Sequence, residues 1–347
     1  MVFPHSYAAV LLVALASLIL GAVWALLLKP AGKWRFELFG IDFGLGVILG
    51  ALLIGFTFGA MGEDITFYDN LMIMRKSSVL ILAGFGALLN LGMLLMLGAV
   101  SVAGLTVAFL PGFAMAAVVG AVGMHLVQPI MNPVYLAIGT PLLLAAVGLA
   151  AGAHKDRTRQ RDTELLQKAV AAGIKGKLQR TSPAKGLVLA IIGGLLIGVA
   201  QPVAIWAQTR DEIGFGAYSM GAMFAAAFLI ATPFFSLFLL NLPVQGEALS
   251  FVEWLKGSVK QHLLGLASGA IWYGGLITAL LAATAPPGAG VSGALAFALT
   301  RGSLVLGAAA GIFTYREFGH YASARQRAVI ALGLATLGLL VYGLGRA

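Results

Sequence analysis

The sequence contains no cysteine. Disulfide staples, thiolate metal sites and cysteine nucleophiles are therefore excluded from its chemistry. Charge is scarce as well. Only 10% of the 347 residues are Asp, Glu, Lys or Arg, against about 25% in a soluble domain. The five histidines (His5, His125, His154, His262 and His320) are scattered near the ends of apolar runs. None is spaced with carboxylates as a metal set requires, so no metal and no cofactor is expected. No glycine-rich phosphate loop is visible, which argues against a nucleotide-driven pump.

What fills the chain instead is hydrocarbon. Hydrophobic residues make up 60% of it and mean hydropathy is +0.97, a composition that a lipid-facing surface explains and a water-facing one does not. Crossing the bilayer core takes about 20 apolar residues. Runs of that length fall near 7–28, 38–61, 78–98, 101–126, 133–153, 186–207, 218–240, 263–284, 289–313 and 326–344. The N-terminal run lacks the basic flank and clear cleavage site of a removed signal, and is long enough to remain as a span. The expected fold class is an all-α polytopic membrane protein of ten transmembrane helices.

The net charge of +9 would raise nucleic acid as a partner in a soluble protein. Here the basic residues sit between apolar runs, and no basic face interleaved with aromatics is available, so no nucleic-acid partner is expected. Their placement gives orientation instead. Seventeen lysines and arginines fall in loops opposite the termini: Lys29, Lys33, Arg35, nine from Lys155 to Lys185, Lys256, Lys260, Arg316, Arg325 and Arg327. Four fall on the terminal side: Arg75, Lys76, Arg210 and Arg346. The positive-inside bias therefore puts the central loop in the cytoplasm and both termini outside the cytoplasmic (inner) membrane. Within that loop Leu165, Leu166, Ala169, Val170, Ile174 and Leu178 recur at helical spacing, which predicts a short amphipathic helix on the membrane surface. A second such stretch covers 247–260, with Leu249, Val252, Leu255 and Val259 on one face. Both are read as tethers.

An odd number of spans per half forces two five-span halves to be inverted relative to one another. GALLNLG at 86–92 aligns with GAIWYGG at 269–275, and Ala108-Phe109 with Ala296-Phe297 in the following span. The chain is accordingly divided into a first repeat (1–153), a basic cytoplasmic linker (154–184) and a second repeat (185–347). Inverted repeats suit alternating access around a site near the midplane. Glycines four apart, such as Gly46 and Gly50, Gly194 and Gly198, or Gly265 and Gly269, allow helices to approach closely.

Several of these stretches resemble a known family. KWRFELFGIDF at 33–43 resembles bacterial glucose/ribose-type sugar-uptake members of the drug/metabolite transporter superfamily. GFTFGAMGED at 55–64 resembles ureide permeases. SGAIWYGG at 268–275 and AAAGIFTYREF at 308–318 resemble the last helices of rhamnose–proton symporters and ureide permeases. The resemblance implies ten helices in two inverted five-helix repeats around a central cavity. It also implies uptake of a neutral polar solute (a sugar, a ureide or a nucleobase), commonly coupled to protons. The first half departs from the rhamnose pattern.

Six residues are singled out. Arg301 lies near the middle of the ninth span, where a lipid-facing arginine costs about 2.5–3.5 kcal/mol; it reads as a substrate contact or the partner of a carboxylate. Asn90, Trp272 and Tyr273 fall at repeat-related positions and offer an amide and aromatic faces for a neutral polar ligand. Gln201 precedes Pro202, at a helix break that frees carbonyls or at a simple kink. Asp42, matching the aspartate of the family motif, is either a proton carrier or an interfacial carboxylate paired with Lys33 or Arg35. Glu37 reads as a structural partner of the basic loop, Trp24 as an inner-interface aromatic, and His125 as a lone surface histidine. A secondary transporter with substrate and protons as partners is the leading function. A permease for ureides or nucleobases and a drug or metabolite exporter are its neighbours. An intramembrane enzyme lacks a visible nucleophile–base pair or paired carboxylates, and a channel lacks a ring of like groups.

Overall fold

The structure is a computed structural model and describes residues 1–61, 65–172, 182–211 and 214–346. Among the described residues there are ten helices long and apolar enough to cross a membrane, and no strand. They are spans 1 to 10 in chain order: Tyr7–Leu28, Phe36–Phe56, Lys76–Ala103, Leu105–Val127, Pro133–Ala171, Pro183–Thr209, Ala217–Asn241, Val259–Ala283, Gly293–Thr314 and Ala322–Leu344. The protein is an all-α polytopic membrane protein. Its outer faces carry Leu53, Ile230, Phe234 and Leu340, all more than half exposed. In water each such side chain would forgo about 1.5–3 kcal/mol of burial; against acyl chains it does not.

Local sequence sets the span ends. Ser6 caps span 1 and Asn132 caps span 5, each accepting a backbone N–H from the first turn. At span 8 a capping box joins Ser258 and Gln261. Between spans 3 and 4 the chain turns in one residue, Gly104, whose φ of 101° is open to glycine.

Span 5 does not stop at the bilayer. It runs 39 residues, about 58 Å at 1.5 Å per residue, so the charged segment from His154 to Ala171 continues the helix out of the membrane. The separate surface helix expected there is absent over the described part: Thr158 and Thr163 turn their hydroxyls onto the carbonyls of His154 and Arg159 within the helix instead of capping a new one, and the Lys, Arg, Gln and Glu residues around them are good helix formers. Ile174 and Leu178 lie outside the described residues, as do Gly62, Glu63 and Asp64 of the 55–64 motif. The extension is held to the start of span 10 by Arg327 on Asp156 and by Glu164 on His320 and Tyr321. In the second amphipathic stretch only Val252–Leu255 is helical before span 8 begins.

The packing has a regular pattern. Span 2 lies against span 8, and span 3 against span 7; span 8 lies against span 1, and span 3 against span 6. Span 4 packs on span 6 as span 9 packs on span 1, and span 4 meets span 5 as span 9 meets span 10. Spans 2 and 7, and spans 5 and 10, contact each other directly. Shifting every span number by five reproduces the same pairs.

Glycines carry the pattern to residue level. A methyl group at Gly86 would meet the Phe224 carbonyl of span 7 at 3.0 Å, and one at Gly269 would overlap the Phe43 carbonyl of span 2. Likewise Gly92 faces the Gly193 carbonyl of span 6 at 3.1 Å, and Gly275 faces the Gly21 nitrogen of span 1 at 3.0 Å. These four are the outer glycines of the two aligned heptapeptides. Gly86→Ala and Gly269→Ala should each cost about 1–3 kcal/mol through overpacking. Gly84→Ala, two residues away with nothing within 4 Å, should be neutral or gain a few tenths of a kcal/mol from helix propensity. Thermal unfolding in detergent separates the two classes, and equal melting of all three variants would remove glycine contact as the determinant of packing.

Candidate functional site

Spans 6 and 9 are both interrupted near their middles. Span 6 breaks at Val199, between helical pieces ending at Gly198 and starting at Ala200. Span 9 breaks at Gly302, so that Arg301 ends one helical piece and Ser303 starts the next. At both points the backbone stays in the right-handed helical region, so each span kinks rather than ends. The two breaks face each other: Arg301 Nη2 donates to Gln201 Oε1 at 2.7 Å.

Between them lies a cavity of about 80 Å³. Trp272 of span 8, Phe113 of span 4, Phe224 of span 7 and Leu89 of span 3 supply its apolar wall, and Ser17, Thr300 and Ser303 add hydroxyls. Phe113 is placed by a wide π-helical turn, Ala108–Phe113, that contains Pro111. Such turns insert an extra residue into a helix and often mark functional positions. Trp272 is backed by the rings of Phe43 and Phe228, with centroids 5.7 and 5.4 Å away.

Arg301 has an incomplete set of partners. Its guanidinium carbon lies 5.1 Å from the Phe297 ring centroid, a cation–π contact. Its Nε–H is buried with no acceptor. Among the described residues no carboxylate reaches it within ion-pair distance, and no acidic side chain lines the cavity. An unsatisfied buried donor costs about 1–3 kcal/mol, and more when charged.

Of the residues singled out from sequence, Arg301, Gln201 and Trp272 meet at this cavity. Asn90 and Tyr273 are fully buried beside it and do not line it. Asn90 Nδ2 donates to Thr232 Oγ1 of span 7 at 2.9 Å, leaving its own Oδ1 unpaired. Tyr273 sets its Cβ against Gly50 and its hydroxyl end reaches Gly221. Trp24 is not at an interface. It is buried between Phe43, Phe109 and Phe113, because its indole N–H is satisfied by the Gly21 carbonyl at 3.0 Å and needs no water.

Asp42 sits apart, at the end of the molecule that carries the central loop. It is buried, and pairs with neither Lys33 nor Arg35. Its Oδ1 accepts from Trp254 Nε1 at 2.8 Å and lies 2.8 Å from His262 Nδ1, while Oδ2 is 3.4 Å from Trp34 Nε1. Arg35 is taken by Glu37 at 2.6 Å, which is the structural partnership expected of that glutamate. His262 lies 220 positions from Asp42 along the sequence, which leaves no spacing to read.

A second polar cluster at the same end was also missed. Arg316 adopts a φ of 47°, uncommon outside glycine, and the turn returns Glu317 toward span 4. Its carboxylate accepts the backbone N–H groups of Leu105 at 2.7 Å and Thr106 at 2.9 Å, the Thr106 hydroxyl at 2.8 Å and the Lys29 ammonium at 3.0 Å. Helix N-termini leave such N–H groups free and attract negative charge. Arg157 of the span 5 extension donates to the Glu317 and Ala103 carbonyls, and Lys29 lies 4.3 Å from the Tyr315 ring centroid. Five spans are thereby latched together beneath a vestibule of about 570 Å³. The only sequence signal was a lone acidic residue among basic ones after span 9.

No protein-family model matches the chain, and comparison with curated proteins gives no match. Glu317→Ala should open the latch. A single cysteine at the buried Val100, in an otherwise cysteine-free chain, should label faster with a maleimide in that background than in the wild type. Unchanged labelling would reduce Glu317 to a local helix cap.

Proposed function

We propose that the protein is a secondary active transporter that carries a small polar solute across the membrane by alternating access. The observation that carries this reading is the interchange of packing partners between spans five apart, around a cavity near the span middles. Spans five apart run in opposite directions, so the two halves are inverted repeats, 1–153 and 185–347. Exchanging the packing of one half for that of the other converts an opening on one side into an opening on the other.

The interrupted spans 6 and 9 support a site at Arg301, Gln201 and Trp272, since broken helices present polar backbone only where it lines a cavity. The Glu317 latch and the Asp42 cluster serve as gates at one end. By the charge bias that end is cytoplasmic, with the termini outside. Asp42 and His262 share a hydrogen bond within the outermost turns of two tightly packed spans, a placement that fits a proton carrier whose charge state loosens the gate. The short motifs resemble the drug/metabolite transporter superfamily, near sugar-uptake proteins, which supports this reading; a ureide or nucleobase permease and an exporter are neighbouring readings.

Purified protein in proteoliposomes should take up or exchange at least one labelled solute from a panel of hexoses, deoxyhexoses, allantoin, uracil and short-chain carboxylates. No protein-dependent flux with any of them, with and without an imposed proton gradient, overturns the transporter reading. Asp42→Asn should abolish proton-driven accumulation while counterflow persists; accumulation at the wild-type level would end the coupling role.

A further inference from the structure

The solute can be narrowed by what the cavity lacks. Resting on the transporter reading, we infer that the protein carries a small organic monoanion, a short-chain carboxylate, whose charge is held by Arg301 and whose apolar end packs on Trp272.

Charge balance is the first argument. Arg301 keeps a buried Nε–H without an acceptor, and among the described residues its hydrogen-bond partner is the neutral Gln201 amide. Among the described residues Asp42, about two turns into span 2, is the deepest carboxylate in the apolar part of a span; Asp156, Asp162 and Glu164 lie on the charged extension of span 5. The carboxylates that come closest to membrane depth are committed elsewhere: Glu37 to Arg35, Asp42 to His262 and Glu317 to Lys29. Natural proteins pair buried charges. The partner absent from the chain is supplied by the cargo, and a guanidinium is the group best shaped to bind a carboxylate.

Size is the second. The cavity, about 80 Å³, is smaller than the roughly 150 Å³ that takes up benzene, which favours a cargo of few heavy atoms over a hexose. The lining is also mixed: Arg301 and Gln201 meet in one hydrogen bond, while Trp272 and Phe224 offer apolar surface, so a molecule with one charged end and a short carbon body finds a partner for each. This departs from the neutral solute that the family resemblance implies. Gln201 is then a positioning residue, holding the guanidinium by Nη2.

The test uses the full-length protein in proteoliposomes preloaded for counterflow, with acetate, lactate and pyruvate set against acetamide, lactamide, glycerol and glucose. Expected is exchange of one or more carboxylates and not of their amides. Arg301→Gln should lower that flux about tenfold or more, and Arg301→Lys, which keeps the charge, should retain a measurable part of it. Exchange of a neutral solute at a rate indifferent to Arg301→Gln would overturn the anion and leave the transporter standing. Absence of every flux would remove the transporter reading and the anion with it. Should Arg301→Gln fail to fold, inhibition of wild-type exchange decides: unlabelled lactate should compete and lactamide should not, and equal competition overturns the proposal.

Discussion

Lipid gives apolar helices no reason to prefer one another over acyl chains, so association depends on how closely their backbones can approach. In this protein that approach is made at glycine. Gly46 and Gly269 interlock spans 2 and 8, Gly86 seats span 3 on span 7, and Gly194 seats span 6 on the Gly112 carbonyl of span 4. Every other feature is downstream of these contacts. The cavity exists because spans 6 and 9 break where the surrounding helices are already clasped, and the breaks are tolerable because enclosed backbone does not face lipid.

The polar groups divide by depth. At the central-loop end the carboxylates are answered, Glu317 by Lys29 and two backbone N–H groups and Asp42 by His262 and Trp254, although His154 Nδ1 there is buried without a partner. In the middle Arg301 Nε and Asn90 Oδ1 remain without partners. A transporter of the kind proposed needs such a division. Gates are strong when their members answer each other, whereas a binding site is useful only if something is left for the cargo to answer.

The ten helices were legible from composition, because a span needs only length and apolarity and both are local. Their boundaries were less so. Span 5 outran its apolar stretch, since a helix continues through Lys, Arg, Gln and Glu unless something caps it. Arg301, Gln201 and Trp272 could be picked individually, each being a polar or amphipathic group where lipid would penalise it. Their meeting could not, for it depends on two helix breaks whose facing is a tertiary fact. The Asp42–His262 pair and the Glu317 clamp were invisible for the same reason: partners more than 200 residues apart leave no spacing to read. Trp24 was misplaced because its indole finds a carbonyl three residues back, removing the need for water that puts tryptophan at interfaces.

The length of span 5 gives the molecule a lever arm. The helix from Pro133 to Ala171 projects roughly 25–30 Å past the hydrocarbon. It is riveted to the turn after span 9 by Arg157 and to span 10 by Arg327 and Glu164. Any tilt of spans 5 and 10 would be magnified at its tip. A force or a bound molecule at the tip would, in return, be felt at the Glu317 latch.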